Sequence, residues 1–257
     1  MKFRMNGKEL KEAINICRLR GKYNEGMGNK NSILSDDIFI EVEDNVVYIQ
    51  NANNYTYVVY RYTDEEAQSG MVSLSGSTLE KYLTDTEVVF MSDEGRIQVA
   101  SGNSVVTLPV LGRHNDLNVI YRLKSKLRNL DRRTIKRMFR NEEDIMVTDT
   151  LSLKTLLDVE SDELSEAMAI AEKVGNSIYR MEWNGEKLII GSSKNIESVK
   201  TEIDAIGGKR KATVEISLPI ANIISKEPEV VILYDDERPV IFANEKITVL
   251  RAPRVGN

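Results

Sequence analysis

One cysteine, one histidine and no long apolar run leave few chemistries open to this 257-residue chain. Cys17 has no second thiol to pair with, so no disulfide framework holds the fold, and such usage suits a reducing cytosol. His114 stands in a basic segment with no partner pattern around it, and no Cys/His metal spacing occurs. A nucleophile elbow is missing. So is a Walker loop, since Gly207-Gly208-Lys209 lacks the leading spacing and the following Ser or Thr. No stretch approaches the ~18 apolar residues of a membrane span, and the N-terminus carries charges where a signal peptide needs an apolar core. The pair Asp235-Asp236 occupies a hairpin turn, where Asp is favoured by turn geometry alone. No second titratable group is placed to separate the pKa values of that pair. No catalytic residue, cofactor, metal or membrane partner is expected. The net charge of −5 means that any contact with a polyanion must come from local segregation of charge.

What the chain does have is a repeat. Glu87-Val88-Val89-Phe90-Met91-Ser92-Asp93-Glu94 returns 142 residues later as Glu229-Val230-Val231-Ile232-Leu233-Tyr234-Asp235-Asp236. A short helix-like stretch precedes each copy, Ser77–Leu83 in one and Pro219–Ser225 in the other. Further upstream, Ile38–Val42 faces Tyr179–Trp183 at a shift of 141. A period this long is a domain used twice, not a solenoid repeat.

The hydrophobic pattern divides each copy again. Gly7–Arg20 has helical periodicity, with Leu10, Ala13, Ile14 and Cys17 on one face. Strands are predicted at Lys2–Met5, Ile38–Val42, Val46–Ile49 and Tyr55–Tyr62, broken by turns at Asp44-Asn45 and Asn51–Asn54. The order restarts with strand Met71–Leu74, helix Ser77–Leu83, and strands Val88–Met91, Arg96–Ala100 and Ser104–Val110. The second copy reads as strand Ile145–Thr148, a helical stretch between Ser152 and Val174, and strands Ile178–Trp183, Lys187–Ile190 and Ser198–Ala205. Strand Thr213–Leu218, helix Pro219–Ser225, and strands Val230–Tyr234, Val240–Ala243 and Ile247–Arg251 complete it. Hairpins dominate and βαβ alternation is missing, which gives an α+β fold built on antiparallel sheet with helices on one face. The domains are predicted at 1–112 and 145–257.

Between them, 113–144 carries ten Lys or Arg against five acidic residues. Ile120, Leu123, Leu127 and Leu130 form one apolar stripe, and Ile135, Met138 and Phe139 another, with Asp131 placed to cap the second segment. A structureless connection of this length is improbable in a compact protein, so basic amphipathic helix is predicted. On Gly7–Lys22, Lys8, Lys11, Asn15, Arg18 and Lys22 fall within about a quarter-turn of each other at 100° per residue. Lys81 likewise points away from the apolar face of its helix. Two readings stand: a solvated charged face, or a surface for sequence-independent, salt-sensitive phosphate contact.

The strand–helix–three-strand quarter used four times resembles the DNA sliding clamps. Thr107-Leu108-Pro109 ends the first domain, and the closing Leu250-Arg251-Ala252-Pro253-Arg254-Val255 is similar to the C-terminus of proliferating cell nuclear antigen. Asn31-Ser32-Ile33-Leu34-Ser35 and Ser101-Gly102-Asn103-Ser104 are closer to the bacterial beta clamp. The resemblance implies a closed ring with helices lining a hole for duplex DNA, and, with two domains per chain, a homotrimer. It implies a processivity factor that does no chemistry, with a DNA polymerase and a clamp loader as partners. Its place would be the cytoplasm, at the nucleoid or replication machinery, or the host cytoplasm if the source is viral. DNA-facing positions would be Lys8, Lys11, Arg18, Lys22 and Lys81, then Lys154, Lys173 and Lys226. The subunit interface would join Val105, Val106, Thr107 and Leu108 to Val199, Thr201 and Ile203 of the next chain. Partner peptides would bind near Ala52, Ile120, Leu123, Ala252 and Pro253.

Two features depart from that pattern. The stretch Asp158–Glu172 holds Asp158, Glu160, Asp162, Glu163, Glu166 and Glu172, an acidic set for a helix expected to face DNA. The connector is also longer and more basic than the family's usual one, which makes it either a solvated amphipathic element packed on the sheet or a protein-docking or nucleic-acid-contacting surface of this chain's own. The alternative function is therefore a clamp-like protein-binding adaptor or decoy that does not close around DNA.

Overall fold

The computed structural model describes residues 1–18, 36–52, 56–93, 95–111, 127–141, 145–147, 151–174, 178–194, 196–217, 224 and 227–254. The chain divides into two compact units, Met1–Arg122 and Leu123–Asn257.

The first unit runs β1 (Lys2–Asn6), α1 (Gly7–Cys17), β2 (Asp37–Glu43), β3 (Val46–Ala52), β4 (Thr56–Thr63), β5 (Gly70–Ser75), α2 (Gly76–Glu80), β6 (Glu87–Asp93), β7 (Arg96–Ser101) and β8 (Ser104–Pro109). Asn6 starts α1 by accepting from the Lys8 and Glu9 N–H groups at 2.9 and 3.4 Å, a cap that stabilises by about 1 kcal/mol. The residue after that cap must be glycine. Gly7 donates to the Thr86 carbonyl at 2.8 Å, and a Cβ there would stand 1.9 Å from the Thr84 carbonyl oxygen. Leu10, Ala13, Ile14 and Cys17 are buried, as the periodicity predicts, and α1 packs on β3 and β4. Asp44 and Asn45 both have positive φ, 49° and 65°, the geometry that closes a two-residue hairpin between β2 and β3.

Pairing crosses between the two quarters of this unit. β1 joins the second quarter's strands in the order β1-β6-β7-β8, and β5 joins the first quarter's in the order β5-β2-β3-β4. All these ladders are antiparallel. The β1–β6 register places Phe3 opposite Phe90, and their rings stack at 4.9 Å in the core.

The second unit runs α3 (Arg132–Asn141), β9 (Ile145–Met146), β10 (Ser152–Leu153), β11 (Thr155–Glu160), α4 (Ser161–Val174), β12 (Ile178–Trp183), β13 (Lys187–Lys194), β14 (Glu197–Asp204), β15 (Ile206–Gly207), β16 (Ala212–Ser217), β17 (Glu229–Tyr234), β18 (Val240–Ala243) and β19 (Ile247–Arg251). The same exchange recurs. β11 pairs with β17, followed by β18 and β19, while β16 pairs with β12, followed by β13 and β14. α4 packs across β12, β13 and β14 through Leu164, Ala167, Met168 and Ala171.

Two sequence readings need correction here. The helix expected between Ser152 and Val174 begins only at Ser161, and Thr155–Glu160 is a strand. Leu153, Leu156, Leu157 and Leu164 fit helical spacing, but Thr155, Leu157 and Val159 alternate into the core along the ladder with β17. The first strand of this unit's duplicated pattern is thus β11. Ile145-Met146 instead forms a two-residue ladder with β10. The Pro219–Ser225 helix lies outside the described residues except for Ile224, which is helical and buried.

Of the connector, α3 belongs to the second unit. Asp131 caps it by accepting from the Thr134 N–H at 2.6 Å. Leu127, Leu130 and Ile135 are buried, and the Thr248 hydroxyl donates to the Leu130 carbonyl at 2.6 Å. His114, Ile120 and Leu123 lie outside the described residues.

Candidate nucleic-acid and subunit interfaces

The basic stripe on α1 is thinner than its helical wheel. Lys8 is exposed, while Lys11 is half-buried and pairs with Asp85 at 3.1 Å. Asn15 donates to Glu80 at 3.3 Å. Lys22 is outside the described residues.

Arg18 corrects the expectation outright, because it is 3% exposed and does not face solvent. It is the C-cap of α1, with φ −75° and ψ 105°, so its side chain leaves the helical stripe. Its Nε donates to Asp36 at 2.7 Å and its Nη1 pairs with Glu80. Its stem lies over Gly76, where a Cβ would stand 2.8 Å from Arg18 Cδ. Asp36 in turn accepts from the Ser75 hydroxyl at 2.7 Å and from the Ser77 N–H at 3.3 Å. Arg18 is therefore the centre of a polar clasp between the end of α1 and both ends of α2.

Lys81, the C-cap of α2, is exposed. In the second unit Lys173 is exposed in the last turn of α4, and Lys154 is half-buried between β10 and β11 rather than on a helix. Lys226 lies outside the described residues. The solvent side of α4 carries Asp162, Glu163 and Glu166, with Glu172 partly exposed. Asp158 and Glu160 belong to β11. Asp158 takes Arg132 through both carboxylate oxygens at 3.1 Å and also Lys136, while Arg132 reaches Glu229 at 2.6 Å. These charges tie α3 to β11 and β17. Asp235 and Asp236 are turn residues: Asp235 accepts from Arg210, and Asp236 from the Thr213 N–H at 2.6 Å.

The two strands named for subunit contact are both terminal in their sheets. β8 follows β7 at one end of its sheet, and β14 follows β13 at one end of another. Val105 is 65% exposed, and Thr107 is also exposed. Val106, Val199 and Thr201 are partly exposed, while Leu108 and Ile203 point into the cores at 6%. Along β14 the exposed side chains include Glu197, Lys200, Glu202 and Asp204. For the peptide site, Ala252 and Pro253 are partly buried. Ala52 sits in β3 opposite Tyr57 rather than in a loop, and is buried.

Among the described residues, no group of three or more His, Cys, Asp or Glu side chains could hold a metal ion. Among the same residues, no helix is long and apolar enough to cross a membrane.

Solved structures with this architecture are sliding clamps. A protein assigned as a DNA polymerase III beta subunit, from Eubacterium rectale, superposes with a TM-score of 0.74 at 15% identity. The match covers 100% of this chain and 66% of that one. The DNA polymerase sliding clamp of Bacillus subtilis gives 0.72 at 16% identity, over 100% of this chain and 65% of that chain. The PCNA of A. fulgidus, solved with the C-terminal region of FEN-1 bound, gives 0.69 at 14% identity over 100% and 99%. This chain has the sliding-clamp fold. It spans 66% or less of the two bacterial clamps named. No family model matches the chain, and neither does any curated protein.

Of the cations named from the sequence, Lys8, Lys81 and Lys173 are exposed, Lys11 on α1 and Lys154 between two strands are partly buried, and Arg18 is an internal clasp. Sequence reasoning missed Asp36 and Glu80 as partners of Arg18, because a helical wheel carries no information beyond the helix end. It also tested Gly207-Gly208-Lys209 only as a nucleotide loop, although Lys209-Arg210-Lys211 was readable as a run of cations.

Proposed function

We propose that the chain is a DNA sliding clamp, a processivity factor that encircles duplex DNA as a ring and tethers a polymerase. The observation that carries this reading is the pair of terminal strands, β8 in one unit and β14 in the other, on a sliding-clamp fold. A terminal strand presents a row of N–H and C=O groups ready to pair. Two different edges joined head to tail make a heterologous interface, which closes into a ring when the rotation allows. With two units per chain, a trimer supplies the six domains of such a ring. Lys8, Lys11 and Lys81 would then supply the positive potential of the first unit, without reading sequence. A clamp loader and the polymerase are the expected partners. The FEN-1 region bound to the A. fulgidus clamp supports the docking of partner peptides as a further role of this chain.

Native mass spectrometry at micromolar protein should give a trimer. Protein loaded on closed circular duplex should be retained at high salt and released once the circle is cut. A strict monomer that dissociates equally from circle and linear duplex would sink the ring. The second reading, an adaptor that does not encircle DNA, is favoured by the carboxylates on α4 and the burial of Arg18, which leave little free positive charge on α1 and α4. That monomer result is what it expects.

A further inference from the structure

We propose that the turn carrying Lys209 and Lys211 is the second unit's contact to the phosphate backbone of duplex DNA, an assignment that rests on the clamp reading above. α4 is poorly suited to that task, since Asp162, Glu163 and Glu166 occupy its exposed side. A cleft of about 230 Å³ beside β15 is acidic as well, lined by Asp158, Glu160, Glu163, Asp204 and Glu229. The loop that follows β15 has the opposite sign. Lys209, Arg210 and Lys211 are consecutive and all exposed.

The turn is held before any ligand arrives. The Trp183 indole N–H donates to the Gly208 carbonyl at 2.6 Å. Gly207 pairs with Leu157 in the β15–β11 ladder, and a Cβ there would stand 2.4 Å from Leu157 Cδ2. Arg210 reaches both carboxylate oxygens of Asp235, at 3.2 and 3.3 Å. Arg210 therefore works as an anchor, and the two flanking lysines are left to meet a ligand. Because the backbone is already fixed, binding costs little extra ordering. Lysine is a flexible point charge that does not demand the bidentate geometry by which arginine reads guanine edges. Two lysines on a fixed turn thus suit a duplex contacted through phosphates regardless of sequence.

The test is the salt dependence of full-length protein binding to a fluorescent linear duplex, compared for wild type, Lys209→Ala/Lys211→Ala and Lys8→Ala. Removing one lysine–phosphate pair should reduce the log–log slope by about 0.9, so the slope should fall by nearly two in the double variant and by about one in Lys8→Ala. Both lysines are exposed, so the melting curve of the double variant should overlay that of wild type. A double-variant slope equal to wild type, with the Lys8→Ala slope reduced, overturns the turn assignment and leaves the clamp reading standing. An unchanged slope in both variants overturns the two together. A parallel drop in affinity at every salt concentration would mean a structural role for the turn, and also overturns it.

Discussion

The two units share one pairing scheme and differ in the chemistry of their helices. In each, the first strand of either quarter crosses to the other quarter's sheet, β1 and β5 in one unit and β11 and β16 in the other. The exchange depends only on apolar alternation and backbone pairing, which tolerate wide sequence change. The exposed helix surfaces are under no such packing constraint. α1 shows Lys8 and half-exposed Lys11, whereas α4 shows Asp162, Glu163 and Glu166. Duplication therefore copies an architecture and leaves its electrostatics free to diverge.

The ion-pair clusters differ as well. The first unit uses one arginine against two carboxylates, while the second uses Arg132 and Lys136 against Asp158 and Glu229. Arg18→Ala should show the largest effect, destabilising the first unit by about 3 kcal/mol, because Asp36 and Glu80 would lose their shared cation. Arg18→Lys should recover only part of that, since one ammonium cannot reproduce the guanidinium fork. Arg132→Ala should cost less, about 2 kcal/mol, because Lys136 still neutralises Asp158. Urea unfolding, followed by hydrogen exchange in peptides of each unit, measures both. Equal losses in the two variants would mean that the clasps are equivalent after all.

How far the sequence reached follows from what periodicity can encode. Periodicity says which side chains share a face, so Leu10, Ala13, Ile14 and Cys17 were legible as the buried side of α1. It does not say which strand lies alongside, so the exchange of β1 and β5 was invisible. The boundary at Glu160–Ser161 was missed because leucines spaced by three and four suit either a helix or a buried strand. Arg18 was misplaced for a different reason. The step of 100° per residue ends at the C-cap, and Arg18 is that residue. The edge strands β8 and β14 were named through a resemblance, and their terminal positions depend on pairing partners far away in sequence.

Cys17 offers a further check on the first unit alone. Burial pushes its thiol pKa far above the ordinary range, and its Sγ lies 3.0 Å from the Ile49 carbonyl, beneath α1. The thiolate is the reactive form, so folded protein should be inert to thiol reagents at pH 8. Labelling of wild type should then track local or global opening of α1. In Arg18→Ala it should accelerate about 100-fold if some 3 kcal/mol of that opening energy is removed. An acceleration confined to peptides of the second unit in hydrogen exchange, with Cys17 labelling unchanged, would place the clasp's effect in the wrong unit.

The smallest expected effect bears most directly on the divergence of the helices. Glu163→Gln with Glu166→Gln removes two negative charges from α4 without altering its buried face, so stability should stay within about 0.5 kcal/mol of wild type. If duplex passes within a Debye length of that face, roughly 10 Å at moderate salt, losing the repulsion should raise affinity about two- to threefold at low ionic strength. The gain should vanish as salt is added, which separates it from any new hydrogen bond made by the glutamines. No gain at low salt would mean that α4 is remote from the phosphates and that its acidity is neutral to DNA binding. Reversing the test on the first unit, Lys8→Glu should lose affinity over the same salt range. A salt-sensitive effect from each substitution would show that both helices lie within reach of the duplex, α1 adding attraction through Lys8 and α4 adding repulsion through its carboxylates.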